Sequence, residues 1–411
     1  MYFLYNTFLF IFVLISPIII FFRILIGKEN PTRFKEKYCF FSQKSKTGKK
    51  IWIHGASVGE ILSIIPIIKK YEKNKSIKQI LITSSTLSSS LVLAKYKFKK
   101  TTHQFFPIDF KYFSKKFIEY WKPSVSIFVD SEIWPNMIFN LSKKKIPIII
   151  LNARFTKKSF KRWKYFSKSS KNIFNKISMA IPQNSETSKY LKTLGVKNIR
   201  AVNNLKFFGD RFSNKINSNF KKKFANRDIW CAASTHDGEE LEIAKIHNKI
   251  KLKNNKLLTI LIPRHVNRKK LIIKIFNENN LNFVTHSSGK SIKKNTDIYL
   301  VDVYGEALKF YNLTKISFIG GSLVNHGGQN PLEAARLGNL ILHGPYIDNF
   351  KEVYRLIKNL DLSHKISKAS QIEKYLIKNI NYSRENKKTN KLYIIGKKIL
   401  ENNINELKKY T

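Results

Sequence analysis

Cysteine is nearly absent from this 411-residue chain: Cys39 and Cys231 stand far apart and belong to no Cys-x-x-Cys pair. That removes a disulfide framework and a cysteine-based zinc cage as sources of stability, and it fits a reducing compartment. Glycine (16) and proline (11) are sparse, which argues against a long disordered or repetitive tract, and no internal repeat is visible. Acidic residues are the other scarcity: 27 Asp+Glu face 76 Lys+Arg, leaving a formal charge of +49. Such a field attracts nucleic acid, anionic lipid or phosphorylated substrates; equally, lysines scattered through Lys/Asn/Ile-rich sequence are what biased genomic composition produces. Two motifs are missing altogether, the Gly-x4-Gly-Lys-Ser/Thr phosphate loop and the Gly-x-Ser-x-Gly elbow. His54, His236, His265 and His326 lie on separate predicted strand-end loops without His-x-x-x-His spacing, so no metal site is expected. Residues 160–166 are aromatic and basic, yet no recognised nucleic-acid module accompanies them, and no nucleic-acid partner is expected.

What is present begins at the amino terminus. Residues 2–22 run without a charged side chain, long enough to cross a hydrocarbon core as a helix. Arg23, Lys28, Arg33, Lys35 and Lys37 follow, and cations on that flank hold the downstream chain in the cytoplasm. A cleaved signal peptide is the competing reading; it lacks its cationic leading region and its small-residue cleavage site. The expectation is a single-pass anchor over residues 1–27.

A chain of this length favours two globular domains. From about residue 49, short β-rich runs (51–54, 79–83, 125–129, 147–151, 178–182) alternate with helical stretches such as 61–71 and 87–96. After a polar, Lys/Asn-rich segment a second series of strands is predicted at 229–233, 257–262, 282–285, 298–301, 316–320 and 340–343, and residues 371–409 read as helices. Short apolar strands separated by helices specify mostly parallel sheets covered on both faces. The expected architecture is α/β: two doubly wound Rossmann-like domains facing a cleft, with residues 28–212 and 227–411 as the domains and 213–226 as linker. Ligands then bind at strand carboxyl ends.

Several strand ends carry candidate chemistry. Trp52-Ile53-His54-Gly55-Ala56-Ser57-Val58-Gly59-Glu60 is a strand running into a glycine-containing turn and a helix. Ser57 and Glu60 have capping-box spacing; a carboxylate there can also serve as a general base. Asp130-Ser131-Glu132-Ile133-Trp134-Pro135-Asn136 puts two carboxylates after an apolar strand, as solvated loop acids, helix caps or site residues. Asn152-Ala153-Arg154 follows the next strand, as an anion ligand or a surface turn. Lys206, within Asn204-Leu205-Lys206-Phe207, is either one more solvated lysine or a cation that stabilises a leaving phosphate. Arg264 and His265 end a strand as a donor-rich pair suited to phosphate or carboxylate, and Tyr304, Gly305 and Glu306 end another. The run from Gly320 through Asn330, Pro331, Leu332 and Glu333 reads as strand, glycine-rich loop and helix start. Its backbone N–H groups can cradle an anion, with Asn330 as N-cap, Pro331 at the first helical position and the helix dipole assisting. Glu333 completes that cap or accepts from ribose hydroxyls.

Taken in order, these segments resemble the Kdo (3-deoxy-D-manno-oct-2-ulosonic acid) transferases of lipopolysaccharide assembly, over nearly the whole chain. The resemblance rests on residues 54–60, 130–136, 152–154, 233–240, 263–265 and 320–333, and on Gly344-Pro345 before Asn349-Phe350. It implies a GT-B fold with an N-terminal membrane anchor in the cell inner membrane and the catalytic body in the cytoplasm. It further implies Glu60 as catalytic base and Asp130 and Lys206 as transition-state stabilisers. Arg264, His265, Tyr304, Gly305, Glu306, Asn330, Pro331, Leu332 and Glu333 match positions for the donor, CMP-Kdo. The implied acceptor is the phosphorylated lipid A precursor, and neither cofactor nor metal is called for. Two departures stand out: the family usually has Glu at Asp130, which leaves Glu132 as an alternative, and Gly at Asn203. The competing functions are a GT-B transferase using another sugar nucleotide and a non-catalytic, membrane-tethered binder of anionic polymers. A donor comparison separates the first; binding indifferent to Glu60 would mark the second.

Overall fold

The computed structural model describes residues 2–200, 204–209, 218–379 and 382–411. Contacts divide the chain into two compact units, Met1–Phe208 with Gly396–Thr411, and Gly209–Ile395. The first contains α1 (Tyr2–Leu25), β1 (Lys50–His54), α2 (Val58–Glu72), β2 (Gln79–Ser84), α3 (Leu87–Ala94), β3 (Thr101–Phe105), α4 (Lys111–Trp121), β4 (Val125–Val129), α5 (Pro135–Lys143), β5 (Ile148–Ala153), α6 (Lys157–Tyr165), α7 (Ser167–Phe174), β6 (Met179–Pro182) and α8 (Ser185–Leu194). Its six parallel strands are ordered β3-β2-β1-β4-β5-β6. Side chains alternate across the sheet: Trp52, Phe128, Ile148 and Ile150 enter one hydrophobic cluster, and Ile51, Ile53, Val125, Ile127 and Ile149 enter the other. Both faces are therefore dry, which is why these strands read as continuous apolar runs.

The second unit contains α9 (Ser218–Lys222), β7 (Asp228–Thr235), α10 (Glu239–Lys251), β8 (Leu257–Pro263), α11 (Lys269–Glu278), β9 (Phe283–Thr285), β10 (Ile298–Leu300), α12 (Ala307–Leu313), β11 (Ile316–Ile319), α13 (Leu332–Arg336), β12 (Leu340–His343), α14 (Lys351–Asn359), β13 (Ser363–Lys365) and α15 (Ser370–Asn379). Its parallel order is β13-β12-β11-β7-β8-β10-β9. A final helix, α16 (Asn386–Leu407), begins in this unit and ends in the first. Both sheets reverse strand order beside their first strand, the arrangement that opens a crevice at the strand carboxyl ends. They also share a device in that strand: the Trp52 indole donates to Thr83 Oγ1 at 2.9 Å, and Trp230 to Thr259 Oγ1 at 2.8 Å.

The partition expected from sequence differs from this one at its end. Gly396–Thr411 joins the first unit because Ile404 and Leu407 are buried in the same cluster as Ile64, Ile68 and Tyr71. Of the expected linker, residues 213–217 lie outside the described residues. Its later part packs on the second unit, where the Phe220 and Phe224 rings meet Phe310 and Phe224 meets Tyr299. Strands β3 and β13 were not predicted. Their sequences, Thr-Thr-His-Gln-Phe and Ser-His-Lys, have no apolar run because each sits at the rim of its sheet. Both cysteines are free and buried.

Candidate active site

In the first unit the site forms where β1, β4 and β5 end side by side, His54 pairing with Phe128 and Val129 with Leu151. Glu60 stands in the first turn of α2, capped by Ser57. Its carboxylate accepts the Ala56 N–H at Oε2 (2.7 Å) and the Ser57 hydroxyl at Oε1 (2.7 Å), and its own N–H donates weakly to Ser57 Oγ (3.4 Å). The capping geometry is thus real, and it also fixes the carboxylate. Burial raises the Glu60 pKa to about 6, and the negative charges of Asp130 and Glu132 add to the rise. A carboxylate tuned this way holds and releases protons near neutral pH.

Asp130 follows β4 and Asn152 interrupts the end of β5, both in left-handed backbone, φ 61° and 55°, a region in which Asp and Asn are several-fold enriched. The twist turns their side chains together: Asn152 Nδ2 donates to Asp130 Oδ1 at 2.8 Å. Lys206 Nζ reaches the other oxygen at 3.3 Å. Lys206 is delivered by a short 3-10 turn over Leu205–Phe207. Asn204 Oδ1 accepts the Lys206 N–H (2.9 Å) and Asn152 Oδ1 accepts the Leu205 N–H (3.0 Å). Asn203 lies outside the described residues. Glu132 has a separate role, because its Oε2 accepts the Trp134 indole N–H at 2.9 Å and meets His54 Nε2 at 3.3 Å. The buried His54 ring is pinned from its other side by Thr83 Oγ1 at 2.9 Å and stacks on Phe106. Of the two carboxylates, Asp130 is therefore the one joined to the lysine, while Glu132 orients an aromatic and imidazole wall.

In the second unit β7, β8 and β11 end together. Arg264 and His265 leave β8 as exposed side chains. The rings of His236, His265 and His326 gather here: His236 lies 4.1 Å from His326 and 5.9 Å from His265 between centroids. Burial lowers the His236 pKa to about 4, and His326, His265, Arg264 and Arg268 push it the same way. These histidines are distant in sequence, and only the strand order brings them together. No cluster suited to a metal ion is found among the described residues. Tyr304 and Gly305 are exposed, and Glu306 precedes α12 and pairs with Lys309.

The glycine-rich loop corrects an expectation. Its first N–H groups do not await a ligand; they hold the protein's own Glu239. That carboxylate, 1% exposed, accepts from Gly321 (2.7 Å), Ser322 (3.1 Å), Leu323 (3.0 Å) and His236 (2.9 Å). Sequence reasoning missed this residue, whose one signal was a Gly-Glu-Glu run opening a helix after a strand. The helix start is also displaced. Pro331 occupies the N-cap position, Asn330 Oδ1 accepts the Leu332 N–H at 3.1 Å, and α13 spans only Leu332–Arg336, too short for a sizeable dipole. Glu333 is exposed in that turn. The rest of the loop is braced by the segment after β12: the Asn349 N–H donates to Gly327 O (3.0 Å) and its side-chain amide to His326 O (3.1 Å). A Cβ on Gly344 would fall 2.0 Å from Ser322 O. Gly344→Ala should therefore destabilise the protein by about 3 kcal/mol, as overpacking against rigid backbone does, which thermal unfolding will read directly.

Two Rossmann-like α/β units, each a parallel sheet that reverses its strand order beside its first strand, define a GT-B-type glycosyltransferase fold. The structure is similar to UDP-GlcNAc 2-epimerase from Neisseria meningitidis bound to UDP-GlcNAc, with a TM-score of 0.59 and 12% identity over 86% of this chain and 98% of that one, a likeness of fold. A family model described as 3-deoxy-D-manno-octulosonic-acid transferase (kdotransferase) matches residues 32–208. Over 351 residues the chain is 30% identical to 3-deoxy-D-manno-octulosonic acid transferase of Haemophilus influenzae, covering 83% of this chain and 82% of that protein. It is 35% identical over 344 residues to the transferase so named in Rickettsia bellii, at 83% and 82% coverage. The chain belongs to the Kdo transferase family and is a glycosyltransferase.

Proposed function

We propose that this enzyme transfers Kdo from CMP-Kdo to the lipid A precursor, lipid IVA, at the cytoplasmic face of the inner membrane. The observation that carries the reading is the Glu60 carboxylate, held at a strand end with its pKa raised to about 6 beside the Asp130–Lys206 pair, in a chain of this family. Glu60 takes the proton of a glucosamine hydroxyl; the freed oxygen bonds to the anomeric carbon of Kdo; the bond to the CMP phosphate breaks, and CMP leaves with its electrons. One displacement inverts the anomeric centre, and Glu60 then releases its proton to solvent. Asp130 fixes Lys206, whose ammonium faces charge developing in the transition state. Arg264 and His265 take the donor phosphate; Tyr304, Gly305, Glu306 and the Asn330-Pro331-Leu332-Glu333 turn take the rest of CMP. Neither a metal nor another cofactor takes part, so activity should persist in excess EDTA.

The test is incorporation of Kdo into lipid IVA by detergent-solubilised protein, with CMP-Kdo regenerated in situ and UDP-sugars offered in parallel. Transfer from CMP-Kdo alone is expected. Transfer only from a UDP-sugar would replace the donor, and salt-sensitive anion binding without turnover would leave a tethered binding protein. Lys206→Met should lower kcat by about 10²–10³-fold, the usual effect of removing one transition-state donor, with KM for the acceptor nearly unchanged.

A further inference from the structure

Helix α1 is apolar enough to cross a membrane, with mean hydropathy 2.8 in its best window, yet it is fastened to the first unit along its length. The residues turned toward the body recur every three or four positions: Tyr2, Tyr5, Leu9, Phe12, Ser16, Ile20 and Arg23 are half-buried or buried, as is Asn6 beside Tyr5. Near the start, Tyr2 OH donates to Asn136 Oδ1 (2.6 Å), Tyr5 OH to Asp109 Oδ2 (2.7 Å), and Asn136 Nδ2 to Asn6 Oδ1 (3.0 Å). In the middle, Ser16 Oγ and Tyr38 OH lie 2.8 Å apart. At the end, Arg23 Nε donates to the buried Glu29 (3.2 Å), which also holds Lys37 (2.7 Å). The Lys37 carbonyl in turn accepts from Ile108 N–H.

A helix of 24 residues is about 36 Å long. If it stood across a bilayer, its first and last turns would be separated by the hydrocarbon core, and a globular unit could not hydrogen-bond both. We propose that α1 lies flat in one leaflet as an in-plane anchor. Its lipid-facing side presents Phe3, Phe10, Leu14, Ile18, Phe21 and Leu25, all exposed, and the partner is an anionic bilayer surface, complementary to the net charge of +49. This in-plane placement is the alternative to the spanning topology expected from the apolar run. The arrangement also has a catalytic use, because Asn136 belongs to the segment that carries Glu132. Its N–H donates to Asp109 (3.0 Å), and the Met137 N–H donates to the same carboxylate (2.8 Å). The start of the helix is thus tied to the strand-end loops of the catalytic face.

This inference rests on the reading of the enzyme as membrane-bound, and the experiment separates the two. The full chain carries one epitope tag ahead of Met1 and another after Thr411. Protease is added to inverted and to right-side-out vesicles of the host's inner membrane. The in-plane anchor predicts that both tags are cut in inverted vesicles and both are protected in right-side-out ones. A first tag cut only in right-side-out vesicles, with the second cut only in inverted ones, would overturn the topology and leave membrane attachment intact. Recovery of the protein in the soluble fraction would overturn both.

Discussion

Replacing Glu60 by Gln should abolish Kdo transfer while the protein stays folded. General-base groups contribute about 10²–10⁴-fold, and a reduction of about 10³-fold in kcat/KM is expected. The change is nearly isosteric: a Gln carbonyl oxygen can still accept the Ala56 N–H that Glu60 accepts, so the unfolding temperature should stay close to that of wild type. The same residue sets the pH dependence. A base works ionised, and burial with two neighbouring carboxylates raises the Glu60 pKa to about 6. Activity should therefore fall as pH drops through about 6. Asp130→Asn removes one of those negative neighbours and should shift the acidic limb to lower pH. A pH profile of kcat/KM for wild type and Asp130→Asn decides the matter; an unshifted limb would assign the titration to another group.

The second large effect is expected at Glu239, through stability. Four N–H groups converge on its carboxylate, and each buried donor left without a partner costs about 1–3 kcal/mol. Glu239→Ala should destabilise the second unit by about 4 kcal/mol. That lowers its unfolding temperature by about 10 °C for a unit of this size. Glu239→Gln keeps one carbonyl oxygen and should fall between. Calorimetry of both variants tests this, and an unchanged transition in Glu239→Ala would mean that water replaces the carboxylate.

The contrast between Glu60 and Glu239 shows what was legible in the sequence. Strands buried on both faces, such as Ile-Trp-Ile-His at 51–54, announce themselves through continuous apolar residues, and the two-domain α/β plan follows from them. Thr101–Phe105 does not, because a polar strand at a sheet edge has no pattern separating it from a loop. At the site, Ser57 and Glu60 are close in sequence, and their spacing fixes their geometry. Asp130, Asn152 and Lys206 meet only because β4 pairs with β5 and two residues adopt positive φ, neither of which local sequence encodes. The glycine loop misled for a similar reason. Glycines mark a backbone shaped to enclose an anion, but nothing in residues 320–328 says that the anion is a carboxylate from α10.

The two buried thiols give the molecule an unplanned chemical property. Cys39 donates its S–H to the Phe113 carbonyl, and burial pushes its pKa up to about 12; Cys231, in the centre of the second sheet, is raised further by burial alone. Alkylation requires a thiolate and access, so the folded chain should behave toward maleimides as though it had no cysteine. Each thiol becomes reactive only when its surroundings open. Cys39 belongs to one unit and Cys231 to the other, so the two alkylation rates, followed by peptide mass, time the opening of each half separately.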